Sequence, residues 1–356
     1  MRRRELIGYL GGAAAMPFVA PLVAFAQDAP EPPSDQPSTP PAESPPQQVP
    51  LPPDRVRRVG VLMNAGRRDR QASALIGALT EGLRANGWNE DRNLWLAVSR
   101  SGDSDRRVRR SAADLIELAP EVIVAGDSET TKALQAAGGS IPVVFVNVVD
   151  PVGAGLVAAL DRPGGNITGI RQSEFGASTQ WPELLKRIAP NVMRVAILHD
   201  PEARKNESQI AAIQTVTPAV GMEAFGVDAK NFRELERAIT GFSRSPNGGL
   251  IIGMPGASSR ERAVIVALAK RFKLPAIYSD RLFVTAGGLI SHGPDLKGQY
   301  RLAADYVDRI LKGEKPADLP VRTPVKFSTA INLKTAKVLG LTVPPGLREL
   351  ADEVVD

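Results

Sequence analysis

The runs VGVLM (59–63), VIVAG (122–126), VVFVNVV (143–149) and LIIGM (250–254) are nearly continuous in apolar, largely β-branched residues. A strand with one wet face alternates apolar and polar side chains, whereas a strand that reads like these has both faces covered. That is the condition of a parallel sheet flanked by helices. Amphipathic stretches separate the runs, the clearest from Gln71 to Asn86, closed by Gly87. The spacing predicts further strands at Leu94–Val98, Val195–His199, Glu223–Val227, Ala276–Tyr278 and Gly288–Ser291. The rhythm of the first half returns after residue 190 as RVAILHD, GGLIIGM and LPAIYS. An α/β chain of 356 residues with this repeat divides into two doubly wound, Rossmann-like lobes. The glycine-flanked stretch Gly164–Gly169 suits a chain crossing between them.

The amino terminus has a different character. Arg2, Arg3 and Arg4 precede an alanine-rich apolar stretch that closes on Ala24-Phe25-Ala26, the pattern of a cleavable secretory signal over residues 1–26. The arginine pair also fits the twin-arginine route, and ordinary Sec export remains open. Pro17 and Pro21 interrupt the run, which argues against a membrane-spanning helix of about 20 unbroken residues. Residues 27–54 are rich in proline, serine and acidic groups and cannot bury a core; they read as an extended linker. With no cysteine in the chain, disulfides, thiolate metal sites and a lipid-anchored amino terminus are all excluded. The net charge is +5, and the arginine run 106–110 lacks interleaved aromatics, so a solvated helix face accounts for it better than nucleic-acid binding.

In open α/β sheets ligands bind beyond the carboxyl ends of the strands, where the N–H groups of helix termini converge. Polar residues stand at those ends: Asn64, Ser128, Thr130, Asn147 and Asp150 in the first half, and His199, Ser258 and Asp280 in the second, with Asp127, Asp200, Ser259 and Ser279 beside them. Ser128 and Thr130 suit an anion, and Asp150 or Asp280 suits a cation. Each also has the residue type of a helix cap. Catalytic patterns are missing. Strand VGVLM leads into Asn64-Ala65-Gly66-Arg67-Arg68-Asp69 rather than a glycine-rich dinucleotide turn, and neither a phosphate-binding loop nor a G-x-S-x-G elbow occurs. Two histidines, His199 and His292, cannot form a three-histidine metal site. No cofactor is implied.

NVVDPVGAGLVAALDRPGGNITG (147–169), YVDRILKGEKPADLP (306–320), INLKTAKVLGLTVPP (331–345) and ADEV (351–354) resemble the signatures of a family of exported ABC-transporter substrate-binding proteins of the tryptophan/tyrosine type. The resemblance runs from Arg57 to Asp356. It implies a type I periplasmic-binding-protein fold with a multi-crossover hinge, one lobe comprising residues 55–168 plus about 284–313 and the other 169–283 plus about 314–356. It further implies a soluble monomer in the periplasm that captures a small polar ligand, an amino acid or a relative of one, and hands it to a permease, without enzymatic activity. A ligand-sensing module for a membrane signalling partner would share the fold and the export signal. The chain departs from the family at Ser291-His292-Gly293, where tyrosine often follows the serine, and at Ser128-Glu129-Thr130, where small residues are usual.

Overall fold

The computed structural model describes residues 56–102, 104–172, 176–199, 205–228, 231–253 and 259–356. The expected signal and the whole of the linker lie outside the described residues. The first sheet comprises β1 (Arg57–Met63), β2 (Leu94–Arg100), β3 (Val122–Ala125), β4 (Val143–Val148) and β5 (Ile167–Arg171). All are parallel, in the order β2-β1-β3-β4-β5. Helices α1 (Arg70–Ala85), α2 (Asp105–Glu117) and α3 (Ser128–Ala137) connect its strands. The second sheet collects β6 (Arg194–His199), β7 (Glu223–Asp228), β8 (Gly248–Ile252), β9 (Ala276–Tyr278), β10 (Ile290–Pro294), β11 (Phe327–Asn332) and β12 (Glu353–Val355). Its order is β12-β11-β10-β9-β8-β6-β7, parallel except where β11 runs against β10.

Both sheets are covered on two faces, as their apolar strands require. Around the second sheet lie α4 (Trp181–Ile188), α5 (Lys205–Val216), α6 (Phe232–Phe242), α7 (Ser259–Arg271), α8 (Arg281–Thr285), α10 (Leu333–Val338) and α11 (Pro345–Glu349). One apolar cluster joins Trp181, Leu185 and Ile188 of α4 to Ile197, Ile251, Ile277 and Ile290; the opposite one joins Ile239 and Ile265 to Leu198, Leu250 and Ile252. On the first sheet, Leu115 of α2 and Leu134 of α3 cover Leu62, Ile123 and Phe145. The remaining face is closed by α1 together with α9 (Leu296–Leu311), a helix that arrives from the second lobe. Tyr300, Ala303 and Val307 of α9 share a core with Val61, Leu79, Leu83 and Val144. Gly82 permits this approach, because a Cβ there would stand 2.7 Å from the Cβ of Ala304.

The chain therefore passes between the lobes three times, after β5, between β10 and α9, and before β11. The passages are tied together: Arg322 N–H donates to Gly169 O at 3.0 Å, Arg171 N–H to Arg322 O at 2.8 Å, and Asp295 N–H to Lys326 O at 3.2 Å. These crossings shift the expected lobe limits. Residues 284–294 were expected with the first lobe, but β10 pairs with β9 and β11, so the crossing falls at Asp295. Residues up to about 321 stay with the first lobe instead of leaving near 314, because Leu319 and Val321 are buried in its cores and Thr168 Oγ1 donates to Leu319 O at 2.6 Å. The stretch 167–169 is part of a strand rather than a free connection.

Gly169 lies where two chain passages meet β4, and a Cβ there would overlap the carbonyl oxygen and amide of Phe145. Gly169→Ala is expected to cost about 2–4 kcal/mol, the range of a backbone clash that the sheet cannot relax. A urea titration that left the midpoint within error of the parent would contradict this packing.

Candidate ligand-binding cleft

Gln71, the second residue of α1, donates from Nε2 to Oδ2 of Asp280, the N-cap of α8, at 3.3 Å. One residue belongs to each lobe, and both follow the carboxyl end of a parallel strand. The carboxyl edges of the two sheets thus face each other across a cleft, the place where open α/β sheets hold ligands. Two small pockets elsewhere, of about 40 Å³ beside Gly138 and Ile141 and about 10 Å³ beside Tyr278 and Gly288, are far too small for a metabolite.

On the first lobe, strand alternation settles which side each edge residue occupies. Val61 and Met63 face the α1/α9 core and Leu62 the α2/α3 core, so Asn64 follows on the α2/α3 side. Its Nδ2 donates to Glu129 Oε2 in the first turn of α3 at 2.7 Å. That bond leaves Asn64 Oδ1 as an acceptor, fully buried and without a partner. The Glu129 carboxyl is held above its usual range, first by desolvation and then by the charges of Asp127 and Asp105; the Asn64 bond and Lys132 pull it partly back. At the other end of the sheet, Ile167 faces the α2/α3 core and Ile170 the α1/α9 core. Arg171 therefore lies on the same side as Asn64, with its Nε buried and lacking an acceptor.

The second lobe presents a matching set. Ile277 and Ile290 face the core of α4, and two residues further along each strand stand Ser279 and His292. Ser279 Oγ and His292 Nε2 are both buried with no partner, as is Ser291 Oγ on the other side of β10. His292 is held in place from three directions: Nδ1 is 2.8 Å from Thr329 Oγ1, its ring lies tilted against Phe327 at 5.3 Å, and its carbonyl accepts from Trp181 Nε1 at 2.7 Å. Desolvation lowers the His292 pKa below the ordinary value, against a smaller upward pull from Asp352. The ring is neutral at pH 7 and keeps one nitrogen free.

The residues expected from sequence divide into groups. Asn64 is at the cleft edge, as is Asp280, although Asp280 also caps α8 by accepting from Leu282 N–H at 2.8 Å. Ser128 opens α3 half-buried, and Asn147 sits at φ +60° where the β4–β5 register shifts, a conformation asparagine tolerates. Thr130 is not a ligand group. It is fully buried and completes a capping box with Asp127, whose Oδ1 accepts from Thr130 N–H at 2.7 Å. Asp150 is likewise a turn cap, exposed, with Oδ1 accepting from Gly153 N–H at 2.8 Å. The His199 side chain and Ser258 lie outside what is described. Gln71, Glu129 and Arg171 also stand at this edge and were not expected from sequence: Gln71 and Arg171 lie within elements whose pattern announces only packing, and Glu129 is flanked by two better caps.

Among the described residues no cluster of three His, Asp or Glu side chains could hold a metal ion, and no helix is long and apolar enough to cross a membrane. A family model described as "ABC transporter substrate binding protein" matches residues 69–355. A tyrosine-binding protein of Clostridioides difficile (strain R20291) is 23% identical over 266 residues, 73% of this chain and 74% of that protein. An ABC domain from Streptococcus pneumonia, solved in complex with L-Trp, superposes with a TM-score of 0.71 at 23% identity, covering 84% of this chain and all of that one. A conserved domain protein from Vibrio cholerae gives a TM-score of 0.70 at 26% identity, again over 84% of this chain and 100% of that chain.

The buried neutral ring of His292 carries a pH signature. The unfolded chain takes up a proton at its histidines near pH 6.5, whereas the fold holds His292 neutral to lower pH. The contribution of the neutral ring is complete above about pH 6.5 and is lost as pH falls from there toward the folded-state value. His292→Gln, which keeps a polar partner for Thr329, is expected to show a smaller loss of urea midpoint between pH 7.5 and 5.5 than the parent. Equal losses would mean that the ring is protonated in the fold.

Proposed function

This chain belongs to the ABC transporter substrate-binding protein family, and we propose that its cleft captures an amino acid outside the cytoplasm and delivers it to the permease of an ABC importer. The observation that carries this reading is the facing pair of carboxyl edges, bridged by Gln71 and Asp280 and lined by polar atoms that no protein group satisfies. An unpartnered buried polar atom costs about 1–3 kcal/mol, and several of them at one edge favour a ligand that supplies the missing partners. Amino acids are the class favoured by the relatives, since one is a tyrosine-binding protein and another was solved with L-Trp.

Asn64, Ser128 and Asn147 form the first-lobe wall of this site, and Ser279, Asp280 and His292 the opposite wall. Three tied passages between the lobes act as the hinge. A ligand that contacts both walls favours the closed arrangement by its extra contacts there, and the permease reads that closed form. The residues lining the cleft bind without transforming, in keeping with a family of substrate-binding proteins. Residues 1–26 direct export, residues 27–54 act as a spacer, and the mature chain works as a monomer. His292 and Glu129 reshape the cleft relative to the patterns usual in the family, so the favoured amino acid differs from tyrosine and tryptophan.

A thermal-shift screen of the twenty L-amino acids tests the reading. At 100 times its Kd, a ligand that binds only the folded state adds about 2.7 kcal/mol and raises the melting temperature by several degrees. At least one amino acid is expected to do so. Stabilisation by sugars or nucleobases, with none from any amino acid, would refute the assignment.

A further inference from the structure

We infer that the first-lobe wall discriminates by charge at two points: Glu129, held by Asn64, accepts the ammonium of the ligand, and Arg171 donates to its carboxylate. The inference rests on the amino-acid reading above and assigns its two recognition groups. Glu129 Oε2 already takes the Asn64 amide at 2.7 Å, which fixes the carboxylate at the carboxyl edge of β1 and leaves Asn64 Oδ1 beside it buried and without a donor. Both remaining groups are acceptors, and an ammonium is all donor. The protein itself does little to neutralise this corner. Asp127 and Asp105 crowd Glu129, Lys132 is the cation that acts on it, Glu129 itself forms no ion pair among the described residues, and His292 across the cleft is neutral. The desolvation and crowding that raise the Glu129 pKa are relieved when a cation arrives. Arg171 lies on the same side of the same sheet edge, and its Nε is buried without an acceptor. A guanidinium with an open donor suits a carboxylate. Nine-tenths-buried His292, with Nε2 unpartnered, provides a neutral polar contact from the facing wall. Sequence alone pointed to Asp150 or Asp280 for the cation and to Ser128 or Thr130 for the anion; Asp150 and Thr130 are engaged in local caps, whereas exposed Glu129 is bound across to Asn64 and Arg171 keeps an unpartnered Nε.

Isothermal titration tests this with the amino acid that ranks first in the thermal screen, its decarboxylated amine and its deaminated acid. Glu129→Gln is expected to weaken the amino acid and the amine by roughly tenfold to a hundredfold and to leave the acid nearly unchanged. Arg171→Gln is expected to do the converse, weakening the amino acid and the acid and sparing the amine. A merely structural role would weaken all three probes together, and that result in both variants overturns the inference, as does parent-like binding of the amino acid by both. Melting temperatures of the unliganded variants within a few degrees of the parent establish that each has folded. If the screen yields no amino acid, the amino-acid reading falls and this assignment with it; if an amino acid binds and the probes fail to separate, only the assignment of Glu129 and Arg171 falls.

Discussion

Helix α9 is the piece on which the first lobe depends. A parallel sheet buried on both faces needs helices on both, and the segment between β1 and β5 supplies α1 alone for one of them. The gap over β4 and β5 is filled by Tyr300, Ala303, Tyr306, Val307 and Ile310, drawn from far along the sequence. Trp88 Nε1 donating to Asp308 at 2.9 Å and the guanidinium of Arg57 donating to Leu311 O extend the same attachment. The first lobe therefore cannot be cut from the chain as a contiguous fragment without opening its core. The need to send α9 across and bring the chain back also creates two of the three passages. The hinge is a consequence of how the core is completed.

Once three passages run side by side, the carboxyl edges are committed to face each other, since each passage leaves or enters a sheet at that edge. This orientation gives the cleft its chemistry. Helices α1, α3 and α8 begin there, and their first N–H groups need acceptors. Asp69, Asp127 and Asp280 supply them as caps. Beside the caps, Gln71 and Glu129 reach across to Asp280 and Asn64, and Ser279 keeps a buried hydroxyl without a partner. A short side chain satisfies the helix, and its neighbour is left to serve the proposed ligand site, so caps and candidate binding groups alternate closely along these turns.

That alternation marks where the sequence was legible and where it was not. Strands β3, β4 and β8 were readable because each is a short apolar block that only a doubly covered sheet can hold. Strand β5 was not, because Ile167-Thr-Gly-Ile-Arg171 is short, contains glycine and ends in a charge; it is a strand through pairing with β4 and through the returning segment at Arg322. Strands β11 and β12 were hidden for a similar reason: their apolar content is modest, and each is defined by long-range pairing, β11 with β10 and β12 with β11. At the candidate site the turns were visible, and two of the groups expected there, Thr130 and Asp150, are engaged in caps. Thr130 and Glu129 are adjacent, and residue type alone prefers threonine as a ligand donor and leaves glutamate as surface. Only the capping box, which consumes both polar functions of Thr130, reverses the choice.

The unpartnered atoms also bear on why the cleft is placed at the hinge. Asn64, Arg171, Ser279, Ser291 and His292 each keep one buried polar atom without a protein partner, and all five lie at or beside the carboxyl edges. Spread through a core, such atoms would subtract from a net stability of only about 5–15 kcal/mol with no return. Gathered where the lobes meet, their cost falls on the unliganded protein and, under the proposed function, is recovered when a ligand supplies the missing donors and acceptors. Arg171 and His292 sit on the strands that lead into two of the three passages, so satisfying them acts directly on the segments that set the angle between the lobes. A ligand that satisfies groups on one wall alone would bind without closing the cleft; one that reaches from Glu129 and Arg171 to Ser279 and His292 links its own recognition to closure, and the same contacts that choose the ligand then announce it to the permease.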